Sequence, residues 1–371
     1  MRIAQISPLI ESVPPKKYGG TERVVSWLTE ELVKQGHDVT LFASADSITG
    51  ADLVPCADQA LRLDPRCKDT YPHLMMMLDT VRNCAHEFDL VHFHVEFFHL
   101  PFFRQMADRT LTTLHSRQDF NDYALLYKQY NRMPLAAISD SQASSIPMAN
   151  VAGVIYHGLP ANLFKANLKP KGDYLAFLGR IARDKRPDRA IKLARAMGMP
   201  LKIAAKIDAV DRNYYRDEIK PLIDGPDIEF VGEVNEREKQ DFLGNARALL
   251  FPIDWPEPFG LVMIEAMACG TPTLAFRKGS VPEVIDEGVT GHIVDTMDEA
   301  IEKLPETLAL DRRAVRAAFD ERFTASRMAR DYVKLYRRLL NKPAPLETHR
   351  VNGVSAGIAP QIEIAREPSR T

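Results

Sequence analysis

Short apolar runs and amphipathic stretches alternate along most of this chain. Arg2 to Ile6 is an apolar run of strand length. After a Pro-rich loop ending at Gly19-Gly20, the positions Val24, Val25, Leu28, Leu32 and Val33 fall on one helical face that stops at Gly36. Asp38 to Ala43 reads as the next strand and completes a βαβ unit. Leu90 to His94, Leu111 to Leu114 and Ala136 to Ser139 each add a short strand followed by a loop or helix. Parallel strands need long crossovers, and helices are the usual crossovers, so this alternation predicts a parallel sheet covered on both faces.

Between Pro160 and Gly172 the period lapses into PANLFKANLKPKG, a loop by composition. A second series then begins with a strand from Tyr174 to Leu178, a helix from Pro187 to Met197, and strands at Leu201 to Ala205, Ile228 to Val231 and Ala248 to Phe251. It ends with a helix from Phe259 to Ala268 and a strand from Thr273 to Phe276. The expected fold is α/β, with two Rossmann-like doubly wound domains over residues 1–165 and 173–323 and a ligand in the cleft between them. Met328, Tyr332, Leu335, Tyr336 and Leu339 recur at three- and four-residue steps, which predicts an amphipathic helix over 324–341. Residues 342–371 are mostly Pro, Gly, Ser and charges and are expected to be a disordered tail.

Composition narrows the function. The 371 residues are 45% hydrophobic and 26% charged, as in globular proteins, with a net charge of -2. No field gathers a polyanion, so nucleic acid is not an expected partner and any anion site must be local. Cys56, Cys67, Cys84 and Cys269 show no metal or redox spacing and fit a reducing cytoplasm. The chain enters a strand pattern at Arg2, so neither a signal peptide nor a transmembrane segment is expected.

Three stretches carry candidate chemistry. In FLGRIARDKRPDRAI, Arg180, Arg183, Lys185 and Arg186 crowd just before Pro187, a residue suited to a first helical turn. Cations there oppose the helix dipole, so either an anionic ligand or neutralisation by Asp184 and Asp188 is implied. Gly19-Gly20 lies between a strand and its helix, where glycines open backbone N–H groups to an anion or simply make a tight turn. In WPEPFGLVMIEAMACGTPTLAF, Pro258 fits the first turn of the helix, Gly260 permits close approach, and Glu265 lies two turns in among Met263, Ile264 and Met267. An unpaired carboxylate there is costly, so Glu265 needs donors, supplied by a sugar or ribose diol or by an internal arginine.

The spacing of Glu257 and Glu265 in EPFGLVMIE matches the E-x7-E motif of retaining GT-B glycosyltransferases, and the chain resembles glycosyltransferase family 4. YGGTERVV, TLHS, ISDSQA, VIYHGLP, FLGRIARDKRPDRAI, FVGEV and GSVPEVIDEGVTGHIV are similar to successive family segments, in order. The resemblance implies a GT-B fold whose C-terminal helix returns to the N-terminal domain. It also implies transfer of a sugar from a nucleotide diphosphate donor, UDP more than GDP, to an unidentified acceptor held by the N-terminal domain. Arg180 and Lys185 would grip the diphosphate with Gly19 or Gly20 nearby, and the N–H groups of Phe259, Gly260 and Leu261 would face sugar and phosphate. Glu265 would hold the ribose, Glu257 the sugar hydroxyls and Val234 the base, with His115 beside the transferred sugar. No cofactor or metal is implied beyond the nucleotide sugar, and no Asp-x-Asp motif occurs. Peripheral membrane contact is left open.

Two departures stand out: Leu114 occupies a family histidine position before His115, and Arg186 replaces the glycine after the lysine. Glu22 matches a family residue but also suits a helix dipole. Two other readings remain: a non-catalytic protein that binds sugar nucleotides, and a metal-dependent hydrolase using His92 and His94, with His99 close in sequence.

Overall fold

The structure, a computed structural model, describes residues 1–16 and 19–341. The expectation for residues 342–371 lies outside them. Strands β1 (Arg2–Ile6), β2 (Asp38–Ser44), β3 (Asp52–Ala57), β4 (Leu90–Phe93), β5 (Thr110–Thr113), β6 (Leu135–Ala137) and β7 (Val151–Val154) form the first sheet, in the order β3-β2-β1-β4-β5-β6-β7. β8 (Leu175–Arg180), β9 (Leu201–Lys206), β10 (Ile228–Gly232), β11 (Ala248–Phe251), β12 (Thr273–Phe276) and β13 (Gly291–Val294) form the second, in the order β10-β9-β8-β11-β12-β13.

All pairings are parallel; Ile3, for example, lies between Val39 and Leu90. Both sheets reverse direction of growth beside their first strand, the topology that opens a crevice at the carboxyl ends. This is an α/β GT-B fold of two doubly wound units. Central strands β4, β5, β11 and β12 are buried at every position, as helices on both faces require. Three strands were not expected from the sequence, and all lie at sheet edges. β3 carries Pro55, which a central ladder would reject, and β7 carries Gly153; neither contains a fully buried position, so their apolar signal is weak. β13 is a four-residue edge strand.

Helices α1 (Gly20–Lys34), α2 (Pro187–Ala196), α3 (Glu236–Gly244), α4 (Leu261–Ala268) and α5 (Ala325–Leu340) position the cleft. The chain crosses between sheets twice, and the crossings pair: Leu159 N donates to Phe323 O at 2.9 Å and Ala325 N to Leu159 O at 2.7 Å. Beyond that bridge α5 buries Met328, Tyr332, Leu335, Tyr336 and Leu339 in one cluster with Leu28 and Leu32 of α1 and Phe259 and Met263 beside the cleft. The helix thus ties the last part of the chain to the first sheet.

That cluster should dominate stability. Met328→Ala, which empties a site of 0% exposure, is expected to cost about 2–5 kcal/mol, while Arg330→Ala on the exposed side of α5 stays within about 0.5 kcal/mol. Urea unfolding measures both, and equal losses would contradict the docking of α5.

Candidate active site

A cleft of about 1340 Å³ opens between the sheets. Residues at the ends of β8, β9 and β11 line one wall, and Gly19, Gly20 and His115 line the other. Every residue singled out by the sequence for the donor lines it: Arg180, Lys185, Val234, Glu257, Phe259, Gly260, Leu261 and Glu265, with those three. Gly19 caps α1 in an extended conformation and Gly20 begins the helix. Glu22, on the same turn, is only 6% exposed, and burial raises its carboxyl above the usual range, so it is more than a surface partner for the dipole.

The opening of α4 differs from expectation. The helix starts at Leu261 rather than Phe259, because Gly260 takes a left-handed conformation (φ 80°) that breaks the helical path, and Pro258 belongs to the preceding loop. A Cβ at Gly260 would lie 2.7 Å from Met263 Cε. The N–H groups of a first helical turn lack intrahelical acceptors, and here that turn lines the cleft. Behind it, Gly279 sits so close that a Cβ would be 2.3 Å from both N and O of Glu257; Ser280 N donates to Glu257 O at 3.0 Å and Ser280 Oγ to Phe259 O at 2.8 Å. Gly279 and Ser280 shape the loop carrying Glu257, a role that sequence reasoning missed although the pair opens the quoted GSVPE segment.

The charged residues are paired across short distances. The Glu257 carboxylate accepts from Lys185 Nζ and, at 2.9 Å, from Trp255 Nε1, and the same ammonium lies 4.5 Å from the Trp255 ring centre. Glu265 is 4% exposed and bound at 2.6 Å by Lys239 from α3, so its internal partner is a lysine, where an arginine was anticipated. Arg180 faces Asp184, Asp208 and Asp211 at 3.5–3.6 Å, its Nε lying 3.6 Å from Asp211 Oδ2. Arg183 pairs with Glu218 outside the cleft wall. Arg186 holds Asp188 with two 2.9 Å bonds and Asp254 with one of 3.0 Å. Its φ of 53° is left-handed, a conformation that glycine adopts without strain and that costs another residue of order 1–3 kcal/mol.

His92 and His94 do share one face of β4, with ring centres 4.1 Å apart, but both rings spend their nitrogens on protein partners. His92 bonds Tyr336 and Thr113, each at 2.7 Å; His94 bonds His115 and Gln5, each at 2.8 Å. His99 lies elsewhere, stacked on Phe93 at 3.8 Å, because residue 93 points to the opposite face of the strand. No described group of three or more His, Cys, Asp or Glu residues could hold a metal ion. The hydrolase arrangement therefore has no ligand set among the described residues.

His115 is half-buried beside His157, and burial lowers its pKa to about 3. Its backbone is fixed by Glu96, whose carboxylate accepts N–H bonds from His115 at 3.2 Å and Ser116 at 3.1 Å. Polar contacts also join the two units: Arg23 of α1 pairs with Glu236 of α3, and Glu283 accepts the N–H groups of Asp140 and Ser141 at 2.6 and 2.7 Å. The four cysteines are free thiols, and no described helix is long and apolar enough to cross a membrane.

A parallel two-sheet fold with cations and a helix N-terminus on one wall of the intervening cleft defines the GT-B glycosyltransferase class. The family model "Glycosyltransferase Family 4" matches residues 18–158 and "Glycosyl transferases group 1" matches 160–323. The chain belongs to glycosyltransferase family 4. It is 33% identical over 134 residues to a D-inositol 3-phosphate glycosyltransferase of Mycobacterium sp. (strain KMS), a match covering 35% of this chain and 30% of that relative's length. Among solved structures it resembles AviGT4, a glycosyltransferase involved in avilamycin A biosynthesis (24% identity, 92% of this chain and 98% of that one, TM-score 0.68). It also resembles Anabaena HepE in complex with UDP and glucose (18% identity, 90% and 98%, TM-score 0.69).

Buried neutral histidines make stability pH-dependent. His92, His94, His99, His115 and His157 all have pKa values lowered by burial, so below about pH 6.5 the unfolded chain binds protons that the native state refuses. Stability is then full above that pH and falls by up to about 1.4 kcal/mol per pH unit for each histidine as pH drops. Urea midpoints at pH 7.5 and 5.5 should differ accordingly, and identical midpoints would show that these rings are protonated in the folded state. Gly279→Ala, at a φ of 54° and against Glu257, should lower turnover more than tenfold in a protein that still folds; unchanged turnover would show that the loop geometry is irrelevant.

Proposed function

We propose that the cleft binds a nucleotide diphosphate sugar and that the protein transfers the sugar to an acceptor hydroxyl, retaining the anomeric configuration and using no metal ion. One observation carries this reading: Lys185, Arg180 and the first turn of α4 line the same cleft wall as two buried glutamates, so fixed positive charge and carboxylates flank one space. The bond from the anomeric carbon to the diphosphate oxygen breaks with its electron pair left on phosphate. Preorganised cations and helix N–H groups stabilise that charge as it forms. The acceptor oxygen bonds to the carbon, and its proton passes to the departing diphosphate.

Within this reading the diphosphate competes with Glu257 for Lys185 and with Asp184, Asp208 and Asp211 for Arg180, with Gly19 or Gly20 near it. Glu265 with Lys239 holds the ribose, Val234 borders the base, and Glu257 and His115 meet the sugar. A departing diphosphate needs no protonating carboxylic acid, and the match of Glu257 and Glu265 to the E-x7-E motif of retaining enzymes supports attack on the face the diphosphate leaves. The UDP and glucose bound by HepE favour a uridine donor. Four free thiols suit a cytoplasmic location.

Lys185→Ala should lower turnover roughly a hundredfold while the protein stays folded, and activity should survive EDTA. Loss in EDTA that magnesium or manganese restores would overturn the metal-free mechanism. The anomeric proton of the product, read by NMR, should match the donor, and an inverted product would sink retention. Glu265→Ala should abolish most of the thermal shift given by UDP or GDP, whereas Glu257→Gln should keep that shift and lose turnover. The reverse pattern would reject the assignment of the two glutamates.

A further inference from the structure

The buried polar chain beneath His115 has a direction. Gln5, 0% exposed in β1, turns its carbonyl oxygen to His94 Nε2 at 2.8 Å and its amide nitrogen to the Tyr336 hydroxyl at 3.3 Å. A carbonyl can only accept, so His94 carries its proton on Nε2. Burial holds the His94 pKa well below its ordinary range, so the ring is neutral and its Nδ1 is a bare acceptor. The partner at 2.8 Å is His115 Nε2, which must therefore be the donor. His115 is neutral too, and a neutral imidazole has one N–H. Its Nδ1 is left unprotonated. That atom makes no hydrogen bond to a described residue and is not among the buried unpartnered atoms, while His115 lines the cleft.

We propose that Gln5 and His94 act as positioning residues that fix the tautomer of His115, so that His115 presents a bare Nδ1 as hydrogen-bond acceptor to a hydroxyl of the donor sugar. This rests on the proposed reading that the sugar lies beside His115. The consequence is chemical selectivity: the ring rewards an O–H donor at that point and repels a phosphate oxygen or any group that only accepts. The other arm of the chain runs consistently, Tyr336 O–H donating to His92 Nδ1 at 2.7 Å and His92 Nε2–H to Thr113 Oγ1 at 2.7 Å, with Tyr332 closing it at 2.8 Å. Both tyrosines come from α5, so the returning helix reaches the sugar pocket through this network. A reversed Gln5 amide would run every donor the other way and end with the proton on His115 Nδ1.

Imidazole nitrogen NMR of the full-length, nitrogen-15-labelled protein tests the assignment directly. In the free protein His115 should show a protonated Nε2 and an unprotonated Nδ1. UDP-glucose, but not UDP, should shift the Nδ1 signal toward the hydrogen-bonded position. Gln5→Leu should give a mixture of the two tautomers and about a tenfold lower kcat, with the affinity for UDP unchanged. A proton on Nδ1 in the wild-type protein overturns the proposal even if Gln5→Leu does not fold. An unmixed tautomer in a folded Gln5→Leu variant overturns the role of Gln5. If the free-protein tautomer is as stated but UDP shifts a melting curve and UDP-glucose leaves Nδ1 unmoved, the sugar contact is wrong. If neither ligand has any effect, the donor reading itself fails while the tautomer assignment stands.

Discussion

The paired crossing at Leu159 and Phe323–Ala325 is the constraint on which the site depends. Two backbone hydrogen bonds fix where the chain leaves the first sheet relative to where it returns, and α5 then buries its apolar face against α1. Each sheet alone would offer only half of a cleft. With the crossings held, residues at the ends of β8, β9 and β11 and the segments after β1 and β5 line one space, and Tyr332 and Tyr336 of the returning helix reach the hydrogen-bond network beneath His115. Packing energy spent far from the chemistry thereby sets distances at the chemistry.

The site keeps its charges close and mutually satisfied. Lys185 with Glu257 and Lys239 with Glu265 are each partly or deeply buried, and an isolated charge in either place would be expensive. Arg180 is held by longer contacts, with Asp184, Asp208 and Asp211 at 3.5–3.6 Å.

Much of this was legible in the sequence because parallel central strands are buried on both faces and most leave apolar runs. The edge strands were not legible: Pro55 in β3 and Gly153 in β7 read as loop residues, and only pairing with a neighbour makes them strands. At the site, Glu265 announced itself as a charge in an apolar helix, but nothing in the order of residues identifies Lys239, 26 positions upstream, as its partner. His92 and His94 suggested metal because spacing shows which side of a strand a ring takes. It does not show that Gln5, Thr113 and Tyr336 wait there to occupy the nitrogens.

Arg186 shows how an arginine can sit where the family pattern has a glycine. Glycine is favoured where φ is positive because a Cβ there is strained, and replacing it should either move the turn or strain it. Here Arg186 adopts a φ of 53°, open to glycine without strain, and its side chain clamps Asp188 in the first turn of α2 and Asp254 in the loop before Trp255. Those two aspartates absorb the new positive charge, so Lys185, one residue earlier, still points to Glu257. If a diphosphate draws Lys185 away, Glu257 keeps only Trp255 as a side-chain donor among the described residues and must find another. A sugar hydroxyl is a donor of the required kind, which makes the proposed contact between Glu257 and the sugar a consequence of the proposed contact between Lys185 and phosphate rather than a separate assumption.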